Sequence, residues 1–253
     1  MKLIDGNNML HRSVEGHSYG VHPVRKLYTD LCSPPDTTII VWDGPYANKR
    51  RKEIYPEYKA NRRSKEESKM MFFDISKAVL RFTPCIQIEC EGWEADDVIG
   101  TLINRWYAKY RLVVESNDGD YWQHKDKCLL PMVSKKWHHF SAEDTILYKA
   151  LVGDGKDNIP GIRGFGPKAW EMLTSRARKD LRAAIKANNF YNFEAVGDWP
   201  AKVPRTREVF EALCLYWKLN KYWEVPLKEI DDVTFIGKQN LQAAELFMEN
   251  YLI

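Results

Sequence analysis

TTIIVWDG, residues 37–44, is the stretch on which the fold turns. Thr37 to Trp42 are all β-branched or aromatic, a composition that reads as a strand. The run ends in Asp43, and Gly44 follows where the chain must turn sharply. Working outward, Lys2–Asp5 reads as a strand ending in Asp5-Gly6, Cys85–Glu89 as another, and Arg111–Ser116 as a fourth that leads into Asp118-Gly119-Asp120. Helical patterns around 22–32, 63–82 and 93–110 lie between them. Strands that alternate with helices imply an α/β fold, a parallel sheet covered on both faces.

Beyond about residue 140 the strand signals fade. Ser141-x-x-Asp144 caps a helix running to about Val152, and helices are expected around 167–175, 178–188 and 205–220. The expected organisation is an α/β core over 1–152 and a helical region over 153–253.

Parallel sheets bind ligands outside the carboxyl ends of their strands, and that is where the acids fall. Asp5, Asp43, Asp118 and Asp120 sit at or just past strand ends. A further cluster, Glu91-Gly-Trp-Glu94-Ala-Asp96-Asp97, opens the helix whose apolar stripe is Ala95, Val98, Ile99, Leu102, Ile103 and Trp106. At about 100° per residue, Glu94 and Asp96 flank that stripe and Asp97 lies away from it. Another cluster is Gly153-Asp154-Gly155-Lys156-Asp157. Converging carboxylates repel one another unless cations hold them. An all-oxygen donor set without His or Cys suits Mg²⁺ or Mn²⁺, and two such ions ~4 Å apart suit in-line attack on a phosphodiester.

The formal net charge of +3 conceals an uneven distribution. Asn48 to Lys69 carries nine Lys or Arg against four Glu, with Tyr55 and Tyr58 interleaved, a pattern suited to a phosphate backbone. Asn158 to Lys168 (NIPGIRGFGPK) places Gly161, Gly164 and Gly166 before a helix that starts at Pro167. It reads as a helix-hairpin-helix that grips one strand through backbone N–H groups. Five cysteines, odd in number and without a CxxC pair, argue for a reducing cytoplasm. No apolar run approaches a membrane span, and MKLIDGNN is no signal peptide.

Six stretches together resemble the structure-selective 5′ nucleases: flap endonucleases, phage 5′-3′ exonucleases and the 5′-nuclease domain of bacterial DNA polymerase I. They are LIDGNNMLHR (3–12), VWDG (41–44), RKEIYPEYKANR (51–62), EGWEADDVIGTL (91–102), SNDGDYWQ (116–123) and GDGKDNIPGIRGFGPK (153–168). The resemblance implies a PIN-like (resolvase-like) sheet with a helical arch over about 59–91, and a free-standing, phage-like, monomeric enzyme. By it, Asp5, Asp43, Glu94 and Asp96 hold one metal, while Asp96, Asp118, Asp120, Asp154 and Asp157 hold or support a second, with Asp97 close by. Asp43, Asp96, Lys59 and Arg62 form the implied catalytic set, and the hairpin carries a monovalent cation (K⁺). Implied DNA contacts are Arg12, Lys49, Arg50, Arg51, Lys59, Arg62, Arg63, Gly161, Arg163, Gly164, Gly166 and Lys168.

The implied substrates are DNA with 5′ flaps, nicks or free 5′ ends, or RNA–DNA primers, met among replication proteins in a bacterial or infected host cell. An RNA-primer-removing ribonuclease H-type activity and a non-catalytic branched-DNA-binding relative are the alternatives. The chain departs from the family pattern in three places: Asn117 before Asp118, Lys156 between two acids, and the apolar Met70-Met71-Phe72-Phe73 in the arch.

Overall fold

A computed structural model describes residues 1–15, 21–62, 67–251 and 253. Arg63, expected among the DNA contacts, lies outside the described residues, as does the start of the helix expected from 63. The strands are β1 (Lys2–Asp5), β2 (Thr38–Asp43), β3 (Ile86–Cys90), β4 (Val113–Glu115) and β5 (Phe235–Ile236). The helices are α1 (Gly6–Glu15), α2 (Pro23–Leu31), α3 (Lys49–Ile54), α4 (Glu67–Val79), α5 (Ala95–Trp106), α6 (Ala142–Val152), α7 (Pro167–Met172), α8 (Ser175–Lys186), α9 (Phe190–Glu194), α10 (Arg207–Asn220), α11 (Leu227–Asp232) and α12 (Leu241–Asn250). The chain forms two compact units, one of residues 1–49, 63–134 and 223–253, the other of 50–62 and 135–222.

The first unit is built on a sheet of order β4-β1-β2-β3-β5. β1 to β4 run parallel, Leu3 facing Ile39 on one side and Val114 on the other, as the alternation of strands and helices implies. β5 is an antiparallel addition to the edge of β3, pairing Phe235 with Gln87. Period-2 alternation divides the strand residues between two faces. Ile4, Ile40 and Trp42 join a core with Leu10, Leu27, Val79 and Met248 from α1, α2, α4 and α12. Leu3, Ile39 and Val41, equally buried, point to the other face, where α5 brings Val98, Ile99, Leu102 and Ile103. Each such side chain contributes about 1.5–3 kcal/mol on burial. Phe73, from the apolar arch stretch, belongs to the first core and meets the Trp42 ring edge-on at 6.4 Å.

Two glycines let the strand ends close up. A Cβ on Gly6 would lie 2.5 Å from the Trp42 ring, and one on Gly44 would fall inside the main chain at Cys90.

The second unit is helical. Phe193, at its centre, packs against Trp199 and Phe210 at centroid distances of 5.0 and 5.3 Å. Its helices start on side-chain caps: Ser141, Thr174, Asn189 and Thr206 each accept an N–H from the first turn of α6, α8, α9 and α10. The cap expected at Ser141 receives the Asp144 N–H at 3.0 Å.

Gly44→Ala drives a methyl into backbone that cannot swing aside, so it is expected to cost about 3 kcal/mol or more in urea unfolding. Gly197→Ala, with nothing within 4 Å of the added carbon, stays within about 0.5 kcal/mol of the parent. Equal stabilities for the two variants would contradict the packing of β2 against β3.

Candidate active site

Three adjacent strands, β4, β1 and β2, point their carboxyl ends the same way; the chain passes from β1 to β2 on one side and crosses back from β3 to β4 on the other. This is the topological switch point of a parallel sheet. Asp5 ends β1 and Asp43 ends β2; Asp118 and Asp120 follow β4, and Glu94 and Asp96 open α5. Asp5 is buried, 6% exposed. Burial pushes its carboxyl up to about 7, and the charges of Asp43 and Asp118 add to the rise, against the lowering pull of the Asn8 N–H and the Ser116 hydroxyl.

The groups that orient these acids are mostly not the ones the sequence reading singled out. Asn7 holds Asp43 from two sides: its amide donates to Oδ2 at 2.7 Å, and its Oδ1 accepts the Asp43 N–H at 3.2 Å. The Ala95 N–H, in the first turn of α5, donates to the other oxygen at 2.9 Å. Asp5 accepts the Asn8 N–H at 2.9 Å and the Ser116 hydroxyl at 3.2 Å, and Ser116 also takes the Asp118 N–H. Asp118 caps the short 3₁₀ turn 119–124 by accepting the Asp120 N–H, and within that turn Tyr121 donates its hydroxyl to Asp96 at 2.5 Å. The donors to Asp5 and Asp43 are thus neutral amides and a hydroxyl. Neutral donors fix direction but leave like charges opposed, and hard oxygen ligands with uncompensated negative charge fit a divalent cation. Asn7, Asn8 and Ser116 stand beside the acids in DGNN and SND, which was the signal available in the sequence.

Asp97 has a different position from its neighbours. It is fully buried rather than turned outward, and its Oδ1 accepts the Trp223 N–H at 2.7 Å. Trp93, beside the acids, is buried and donates its indole N–H to Glu229 at 2.7 Å. Arg12, at the end of α1, donates to Asn8 and to Met132.

In the second unit, Asp154 and Asp157 belong to a tight loop closed by main-chain bonds between Asp154 and Ile159. Both meet cations. Lys149 of α6 reaches Asp154 at 2.6 Å with both side chains 9% exposed. Burial opposes the ionisation of Asp154, but the Lys149 ammonium and the Lys156 N–H together hold its carboxyl below the usual range. Asp157 accepts from Arg62 at 2.7 Å and from the Tyr58 hydroxyl at 3.1 Å, with the Lys59 ammonium at 4.0 Å. Lys59 is held in place by its backbone: its N–H donates to the Asp157 carbonyl at 2.9 Å, and its φ of 53° is a left-handed conformation that lysine rarely adopts.

The basic run divides. Lys49, Arg50, Arg163 and Lys168 are exposed. Arg51 is 3% exposed and donates to the Leu219 and Lys221 carbonyls, where the end of α10 presents negative partial charge. In the 158–168 segment, Gly161 and Gly164 have φ of 70° and 84°, so both need glycine's freedom. His138 and His139 are exposed, and among the described residues no helix is long and apolar enough to cross a membrane.

In metal-free protein, Asp5 keeps its proton longer in the folded state than in the unfolded one, where it ionises near 3.8. Its contribution to stability is therefore complete at low pH and is lost as pH rises towards about 7. Asp5→Asn is expected to flatten this slope and raise the metal-free melting temperature at pH 8, at about 2–4 °C per kcal/mol. The same variant should forfeit the stabilisation that Mn²⁺ gives the parent. A melting temperature that is insensitive to Asp5→Asn across this range would contradict the crowding of Asp5.

The family model for the 5′-3′ exonuclease, N-terminal resolvase-like domain, matches residues 1–147. The chain is 31% identical over 207 residues to DNA polymerase I of Caldicellulosiruptor bescii, covering 68% of this chain and 24% of that protein. It is 29% identical over 227 residues to flap endonuclease Xni of Shewanella piezotolerans, covering 79% of this chain and 83% of that protein. The chain thus spans about a quarter of the polymerase it matches. In fold it is similar to the 5′-exonuclease of T5 with bound zinc, at a TM-score of 0.58 and 21% identity, over 100% of this chain and 98% of the other.

Proposed function

This chain belongs to the 5′-3′ exonuclease family, and we propose that it is a divalent-metal-dependent nuclease that hydrolyses phosphodiester bonds near the 5′ ends of flapped, nicked or branched DNA. The observation that carries the reading is the buried Asp5 at the sheet's switch point, crowded by Asp43 and Asp118 and relieved by neutral donors alone. Relatives named for exonuclease and flap-endonuclease activity support it.

Asp5, Asp43, Glu94, Asp96, Asp118 and Asp120 would hold Mg²⁺ or Mn²⁺. Such ions would supply a water of lowered pKa and positive charge to offset that of the phosphate. The chain's own part is positioning. Asn7 and the Ala95 N–H fix the two oxygens of Asp43, the Asn8 N–H and Ser116 those of Asp5, and Tyr121 one oxygen of Asp96, each oxygen keeping a lone pair for an ion. Asp97 and Arg51, bonded to backbone inside their units, are left to the scaffold. Asp154 and Asp157 would join a second ion only after loosening from Lys149 and Arg62.

Lys59 and Arg62 supply positive charge for the reacting phosphate, and Asp157 keeps both in place until DNA arrives. Arg12, Lys49, Arg50, Arg163 and Lys168 bind the backbone by charge. The segment around Gly161, Gly164 and Gly166 acts as a helix-hairpin-helix, with its N–H groups on one strand and K⁺ as the matching cation.

The test is a panel of 5′-labelled flap, nicked, gapped, single-stranded and RNA–DNA substrates with Mg²⁺. Flap and nicked DNA should be cut fastest, and EDTA should abolish cutting. Lys59→Ala is expected to lower the single-turnover rate about 100-fold while duplex affinity changes little. Undiminished cleavage in excess EDTA, or a Lys59→Ala variant that loses only affinity, would overturn the reading; a preference for the RNA–DNA substrate would move it to primer removal.

A further inference from the structure

Lys59 and Arg62 sit on a segment that folds with the helical unit, since residues 50–62 group with 135–222. A run of main-chain acceptors holds the segment there. Four successive carbonyls, Gly155 to Asn158, each accept a bond from it. Gly155 accepts from the Asn61 amide at 2.7 Å and Lys156 from the Arg62 Nε–H at 3.3 Å. Asp157 accepts from the Lys59 N–H at 2.9 Å and Asn158 from the Tyr55 hydroxyl at 3.3 Å. One bond runs the other way, from the Asn158 side-chain amide to the Glu57 carbonyl at 2.8 Å. Beside these bonds, Tyr58 and Ile159, 1% and 2% exposed, pack with Leu219 of α10.

The Asn158 bond falls on the turn that carries the lysine. The Glu57 carbonyl also accepts the Ala60 N–H at 3.0 Å, so Asn158 clasps the turn 57–60, with Tyr58 and Lys59 inside it. Lys59 is left-handed there, a conformation that persists only where its surroundings enforce it. Asn158 is left-handed too, with φ of 58°, in a region that Asn tolerates better than most residues. It meets the segment at two points, its side chain on Glu57 and its carbonyl on Tyr55. On its own side the loop is anchored. Asp154 and Ile159 exchange main-chain bonds of 2.8 and 2.9 Å, and the Ile162 N–H donates to the Leu151 carbonyl of α6 at 2.8 Å. The chain then runs without a break into Gly161, Gly164 and Gly166.

We propose that Asn158 is a positioning residue for Lys59. It joins the segment 158–168 to the turn that carries the lysine, so that DNA held by the one meets the ammonium of the other at a fixed offset. The inference rests on the reading of Lys59 as the cation at the reacting phosphate, and it adds the group that aims it. Asn158 spends its amide on Glu57, so its contribution falls on rate and not on affinity.

Asn158→Gly removes the amide and keeps the left-handed backbone, whereas Tyr55→Phe removes one hydroxyl. Single-turnover cleavage of a 5′-labelled flap with Mg²⁺, and flap affinity in Ca²⁺, are measured for both variants of the full chain, with Lys59 present and with Lys59→Ala. Asn158→Gly should slow cleavage about tenfold and Tyr55→Phe about threefold, with affinities within about twofold of the parent. In the Lys59→Ala background both effects should shrink below about twofold, the non-additivity of residues that act through one group. Hydrogen exchange at the Lys59 N–H should be about tenfold faster in Asn158→Gly. Equal slowing in both backgrounds, a loss of affinity alone, or unchanged cleavage in both variants would overturn the proposal. A parent that cuts no substrate overturns the nuclease reading, and exchange at Lys59 then decides the positioning by itself. Faster exchange upholds it, and unchanged exchange overturns it.

Discussion

Bringing Asp5, Asp43 and Asp118 to one edge of a parallel sheet costs free energy that nothing neutral in their surroundings returns. Amides and a hydroxyl can hold a carboxylate still, but they cannot cancel the repulsion between it and its neighbours. Asp5 answers by keeping its proton to near neutrality. A cation removes the conflict, and the structure around these acids reads as preparation for one.

That preparation is visible in the local architecture. Gly6 lets α1 start directly on the end of β1, against the Trp42 ring, which brings Asn7 to Asp43 and Asn8 to Asp5. Gly44 lets the end of β2 lie against the Cys90 main chain, and the first turn of α5 then offers the Ala95 N–H to Asp43. The second unit solves the same electrostatic problem by the opposite means, since Lys149 and Arg62 neutralise Asp154 and Asp157 with the protein's own charges. One set of acids is thus left for an external cation to neutralise, whereas the other already carries its counter-charge in Lys149 and Arg62.

Much of this was legible in the sequence. β1 and β2 fall within one residue of where their apolar runs place them, because an uninterrupted β-branched run has few other uses. The Ser141 cap was readable because its hydrogen bond is local, and EADDVIGTL and four of the five other stretches that carry the family resemblance lie within residues 1–147, which match the family. What escaped was tertiary. α1 hides behind DGNN, a turn-like composition that becomes helical only because Asn7 and Asn8 find distant partners. β5 is two residues long, held by main-chain pairing to β3, and leaves no period to detect. Helical geometry turned Asp97 away from the apolar stripe, yet the chain at Trp223 covers that side and buries it. Arg51 sat in a run that reads as a uniform basic surface, and only the end of α10 distinguishes it from its neighbours.

The most direct test of the central claim is the proton count on metal binding. Isothermal titration with Mn²⁺ in buffers of different ionisation enthalpy measures the protons released as the ion binds. If Asp5 is crowded as described, binding at pH 6 releases about one proton, the release vanishes by about pH 8.5, and it is absent in Asp5→Asn. Binding of Mn²⁺ with no proton released at pH 6, or with the same release at both pH values, would contradict the account.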